Sequence, residues 1–147
     1  MTPADAVLDG LIAEAEAAMA RAYAPYSRFP VGAALLTRSG ETIVGCNVEN
    51  ASYPASICAE RGAVMSAVAR GLRDFELLAI VTNADAPTPP CGQCRQVLAE
   101  FAPALPVVSV ARDGRRERWT MAELLPSPFL PASLGEASTR GSLTDDR

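Results

Sequence analysis

Apolar residues recur at three- and four-residue steps near the start of the chain, at Leu8, Leu11, Ile12, Ala15 and Met19, with Thr2-Pro3 ahead of them as N-cap and first helical position. The spacing predicts an amphipathic helix ending near Tyr23. Pro25 and Pro30 punctuate a loop, after which Val31 to Leu36 and Thr42 to Val44 read as strands joined at Arg38-Ser39-Gly40. Helical spacing returns from Ala59 to Arg70, with Gly71 as the stop, so Cys58 falls at that helix's N-terminus. Leu77 to Thr82 has the short apolar run of a buried strand, and Asn83 to Pro90 is a loop. Cys91 to Phe101 then reads as a helix with Val97, Leu98 and Phe101 inward.

Pro106 to Ala111 and Glu117 to Thr120 read as strands around Asp113-Gly114, a connection too short for anything but an antiparallel pair. Thr120 with Glu123 forms a capping box that opens a last short helix, Met121 to Leu125. The order of elements predicts an α/β layered domain, a mixed sheet covered by helices, over residues 1–134. Residues 135–147 are polar and are expected to form a flexible tail.

The chain's 147 residues and 15.4 kDa suit one hydrophobic core. It opens without a basic leader and has no apolar run of spanning length, so the expectation is a cytoplasmic protein with no membrane partner. A net charge of −4 and a pI near 4.8 argue against nucleic acid as a partner. The one basic patch, Arg112, Arg115, Arg116 and Arg118, reads as a solvated hairpin edge that resists edge-to-edge pairing. Histidine and lysine are absent, and all 13 basic residues are arginine. That removes Ser-His-Asp, Cys-His and Schiff-base chemistries and leaves proton transfer to carboxylates, tyrosines, thiols or metal-bound water.

Candidate chemistry gathers in two clusters, Cys58-Ala59-Glu60 and Pro90-Cys91-Gly92-Gln93-Cys94. Cys58, Cys91 and Cys94 offer three thiolates to a zinc ion, and three protein ligands leave the fourth tetrahedral position open for water, as in catalytic sites. A redox C-x-x-C is the rival reading, but it leaves Cys58 unexplained. Cys46 is the test of a closed, purely structural zinc module, because a fourth thiolate would fill the coordination sphere. Glu60, two residues after Cys58, is the candidate proton carrier. Three thiolates leave the site electron-rich, and Arg61 is the candidate for offsetting that charge through hydrogen bonds to sulfur.

The pattern Cys58-Ala59-Glu60 with Pro90-Cys91-Gly92-Gln93-Cys94-Arg95-Gln96 resembles the small zinc-dependent cytidine deaminases of nucleoside salvage. Two further stretches agree, Tyr26-Ser27-Arg28-Phe29-Pro30-Val31-Gly32-Ala33-Ala34 and Asn47-Val48-Glu49-Asn50-Ala51-Ser52-Tyr53, so the likeness spans about residues 5–130. The resemblance implies a three-layer fold, with helices on both faces of a mixed five-stranded sheet and an antiparallel C-terminal strand pair. It also implies hydrolytic deamination of cytidine and 2′-deoxycytidine to the uridines with release of ammonia. In that chemistry Cys58, Cys91 and Cys94 bind one zinc per subunit, zinc-bound hydroxide attacks, and Glu60 shuttles the proton. Phe29, Asn47, Glu49 and Ala59 match the family's substrate contacts, Asn47 and Glu49 at the ribose 3′-hydroxyl and Phe29 near the base. A homotetramer is implied too, with Phe129 reaching into a neighbouring subunit's site. Gly62 departs from the family, which usually carries threonine or another small residue there. A related deaminase acting on another aminopyrimidine nucleoside, such as blasticidin S, is the alternative enzyme, and a polynucleotide deaminase is disfavoured by the acidic charge and the antiparallel terminal pair.

Overall fold

The computed structural model describes residues 1–135, so most of the expected 135–147 tail lies outside the described residues. Helix α1 runs Pro3–Met19 and opens on a reciprocal cap, in which Thr2 Oγ1 accepts from the Asp5 N–H at 3.1 Å and the Asp5 carboxylate accepts from the Thr2 N–H at 2.9 Å. It stops a turn before the expected Tyr23. The Tyr23 N–H donates to the Asn47 carbonyl at 3.0 Å and its own carbonyl accepts from the Glu49 N–H at 2.8 Å, so its backbone pairs with a distant segment instead of continuing the helix.

Strands β1 (Val31–Thr37), β2 (Thr42–Cys46), β3 (Phe75–Thr82), β4 (Pro106–Val110) and β5 (Arg116–Thr120) form one sheet in the order β2-β1-β3-β4-β5. Only β3 and β4 are parallel. The crossover between them carries helix α3 (Gly92–Phe101), while helix α2 (Ala59–Ala69) links β2 to β3 and the short α4 (Met121–Leu124) follows β5. The mixed five-stranded sheet, its antiparallel terminal pair and the α4 capping box agree with the sequence. Short 3₁₀ turns occupy Tyr53–Ala55 and Pro131–Leu134.

Alternation along the strands sorts the core into two layers. Ala34, Leu77, Ala79, Val81, Val108 and Val110 face α1, whereas Ala33, Leu35, Ile43, Leu78, Ile80 and Val107 face α2, α3 and α4. Two glycines let the helices settle this closely. A Cβ at Gly32 would stand 1.8 Å from the Ala15 carbonyl oxygen of α1, and one at Gly45 would stand 2.3 Å from the Ala59 carbonyl oxygen of α2. The second contact is what sets the start of α2, and with it Cys58 and Glu60, against the sheet.

The arginine-rich hairpin lies at a sheet edge as expected, on β5. Three of its four arginines form ion pairs: Arg112 with Asp85, Arg115 with Asp113 at 2.6 Å, and Arg116 with Asp9 at 2.8 Å. Among the described residues no helix is long and apolar enough to cross a membrane.

Candidate active site

Cysteine is an unusual N-cap, a position that favours Ser, Thr, Asp or Asn, yet Cys58 caps α2 and Cys91 caps α3 without either side chain bonding the helix N–H groups. Both sulfurs turn instead toward Cys94, in the first turn of α3, and the three Sγ atoms lie within 4.8 Å of one another. The Cys58 and Cys91 sulfurs are 3.8 Å apart. That equals the edge of a tetrahedron with metal–sulfur bonds of about 2.3 Å, which is about 3.8 Å, so the donor set fits one zinc ion. Cys46, at the end of β2, is not in this cluster, and the fourth thiolate of a closed module is missing from it among the described residues. A redox pair of Cys91 and Cys94 alone does not account for the third sulfur beside them.

The cluster is electrostatically graded. Hydrogen bonding from Cys94, with further contributions from Arg61 and Cys91, holds the Cys58 thiol down to about 5 against the opposing effect of burial. Cys94, wholly buried, moves up because it is the donor to Cys58 and because burial disfavours its thiolate. Binding of a dication by thiolates displaces thiol protons, so the grouping of the three sulfurs couples metal affinity to pH. Arg61 Nη2 donates to Cys58 Sγ at 3.5 Å, while its Nε is buried with no hydrogen-bond partner among the described residues.

Glu60 is 6% exposed, and its Oε2 lies 3.7 Å from Cys94 Sγ. Burial raises its pKa first, and the negative charge of Cys58 adds to the rise. A carboxyl in this setting can hold a proton where an exposed glutamate would not.

A cavity of about 260 Å³ opens onto this group. Phe29, Asn47, Glu49, Cys58, Ala59, Glu60 and Cys91 all line it, so seven of the residues named from the sequence share one wall system. Ser27 and Val31 join them, and Ile80, Thr82, Thr88 and Pro89 complete it. No motif marks these last four, because what places them is the position of the β3 end and its following loop.

Asn47 and Glu49 already carry bonds of their own. Asn47 Oδ1 accepts from the Val31 N–H at 2.8 Å and its Nδ2 donates to the Phe29 carbonyl at 2.8 Å. Glu49 Oε1 accepts from the N–H groups of Tyr26 and Ser27 at 2.9 and 3.1 Å. These residues therefore also hold the loop that presents Phe29. Phe129 does not line the cavity of its own chain and is 59% exposed.

Comparison with known proteins agrees with this arrangement. A family model described as the cytidine and deoxycytidylate deaminase zinc-binding region matches residues 7–110. A cytidine deaminase from Sporosarcina psychrophila is 46% identical over 132 residues, covering 89% of this chain and 97% of the relative. The crystal structure of a cytidine deaminase from Burkholderia pseudomallei superposes with a TM-score of 0.81 at 46% identity, covering 88% of this chain and all of the other. A blasticidin-S deaminase from Bacillus cereus is more distant, 32% identical over 107 residues, covering 67% of this chain and 76% of the relative. With a similarity this close running through both termini of the relative's fold, the chain belongs to the zinc-dependent cytidine deaminase family.

Proposed function

We propose that the protein hydrolyses cytidine and 2′-deoxycytidine, exchanging the amino group at C4 of the base for the oxygen of water and releasing ammonia, in pyrimidine salvage in the cytoplasm. The observation that carries this reading is a buried carboxyl, Glu60, set against a three-sulfur cluster and lining a cavity together with Cys58 and Cys91. Cys58, Cys91 and Cys94 hold one zinc ion in this reading. Such an ion, when bound with its fourth position open, supplies Lewis-acid activation of water.

The chain's own residues do the remaining work. Glu60 Oε2 takes the proton given up by the attacking water, delivers it to N3 of the base, and later carries a proton to the departing amine. Its raised pKa suits this cycle, since it must be both a base and an acid near neutrality. Arg61 offsets part of the negative charge of the thiolates. Ala59, first residue of α2, lies where backbone N–H groups lack intrahelical acceptors and can bond the base carbonyl. Phe29 packs beside the base, and Asn47 and Glu49 receive the sugar hydroxyl with the capacity their loop bonds leave over.

Residues 1–134 act as one domain in this reading, in a homotetramer whose neighbouring subunit contributes Phe129. The exposure of Phe129 and its separation from its own cavity support that role. The test is a direct comparison of cytidine, 2′-deoxycytidine, blasticidin S and single-stranded DNA, followed by ammonia release, with zinc counted per chain. Turnover of both cytidines, with one zinc, is the expected result; preference for blasticidin S or DNA contradicts the substrate assignment.

A further inference from the structure

The two residues after Cys94 turn away from the sulfurs and tie down other segments. Arg95 Nε donates to the Pro90 carbonyl at 2.7 Å and Arg95 Nη1 donates to the Leu124 carbonyl at 2.9 Å. Gln96 Nε2 donates to the Phe129 carbonyl at 2.6 Å.

The sulfurs of the cluster are not fixed equally well. Cys94 is buried on the body of α3 and Cys58 is half-buried at the start of α2, but Cys91 is exposed. Its position is set by the backbone arriving from the Asn83–Pro90 loop, not by packing around its side chain. Pro90 is buried and lies just outside the helix, so no intrahelical N–H can serve its carbonyl. Arg95 supplies that donor.

We infer that Arg95 is a positioning residue: its Nε fixes the Pro90 peptide that presents the Cys91 sulfur, and its Nη1 ties the same guanidinium to the C-terminal segment at Leu124. The planar guanidinium holds the two carbonyls in one geometry, which a flexible ammonium cannot do. The inference rests on the reading of Cys91 as a zinc ligand.

Two substitutions separate the two bonds. In Arg95→Met both donors disappear. In Arg95→Gln the carboxamide nitrogen stands as many bonds from Cα as Nε did, so it can serve Pro90 while falling short of Leu124. Zinc affinity, measured by competition with a chromophoric chelator, is expected to weaken about tenfold or more in Arg95→Met, as for other partners that orient metal ligands. In Arg95→Gln it is expected to return to within about threefold of the parent, with hydrogen exchange accelerated over residues 125–130 in both variants. Parent-like zinc affinity in Arg95→Met, or equal weakening in both variants, overturns the inference. If Arg95→Met does not fold, Arg95→Gln decides alone: retained zinc with faster exchange in 125–130 supports the assignment, and weakened zinc overturns it. A parent that binds no zinc sinks the deaminase reading as well, whereas a parent with one zinc that is indifferent to Arg95 sinks only this inference.

Discussion

The Glu60 carboxylate meets the sulfur of Cys94 at 3.7 Å, although the two residues sit on different helices and 34 positions apart in the chain. Burial of that pair gives the carboxyl its raised pKa and puts it beside the metal-binding group without making it part of that group. In the proposed function Glu60 carries the proton, so Glu60→Gln is expected to preserve shape and zinc content while losing that role. The expected fall in kcat is about 10²–10⁴-fold, the usual worth of a positioned acid–base group, with one zinc per chain by metal analysis. Retained turnover would remove Glu60 from the mechanism.

Arg61 reaches Cys58 at 3.5 Å, and in the proposed function it acts on the charge of the cluster, not on the substrate. Arg61→Ala is expected to lower kcat about tenfold while zinc is largely retained and KM for cytidine changes little. Steady-state kinetics with parallel metal analysis checks this, and unchanged kcat contradicts it.

Hydrogen bonds from Ser27, and then Tyr26, hold the Glu49 carboxyl below its ordinary value of 4.5. Because the folded pKa is the lower one, the contribution of this group to the Tyr26–Phe29 loop is complete above the ordinary value and disappears as pH falls through the depressed one. The backbone amide resonances of Tyr26 and Ser27 should therefore titrate with a midpoint below 4.5, and the titration should vanish in Glu49→Gln. A midpoint at or above 4.5 contradicts the loop-holding role.

Gly45 and Gly62 face each other across the β2–α2 contact and should respond oppositely to alanine. A Cβ at Gly45 would overlap backbone of α2 at 2.3 Å, whereas one at Gly62 would lie 3.7 Å from the Cys46 carbonyl oxygen, an ordinary contact. Gly45→Ala is expected to cost about 3 kcal/mol, through displacement of the helix that carries Cys58 and Glu60. Gly62→Ala is expected to gain up to about 1 kcal/mol of helix propensity with zinc content unchanged. Denaturant unfolding at one fixed protein concentration compares them.

Much of this protein is written locally. The periods of three to four and of two, the caps at Thr2 and Thr120, and the turn glycines Gly40, Gly71 and Gly114, all at positive φ, act over a few neighbouring residues. Elements built from such signals are therefore readable without coordinates. The residue types needed for a three-thiolate zinc site with an adjacent carboxyl were readable for the same reason, since ligand spacing within Cys91-Gly92-Gln93-Cys94 is local too.

What tertiary structure alone decided is long-range pairing. Tyr23 leaves the helix because its backbone groups find Asn47 and Glu49, and Asn47 and Glu49 in turn spend their side chains on the Phe29 loop. Arg95 and Gln96 follow a cysteine in the sequence, but their partners at Pro90, Leu124 and Phe129 appear only once α3 has docked. A hydrogen bond between segments depends on the whole packing that brings donor to acceptor, so no spacing along the chain announces it.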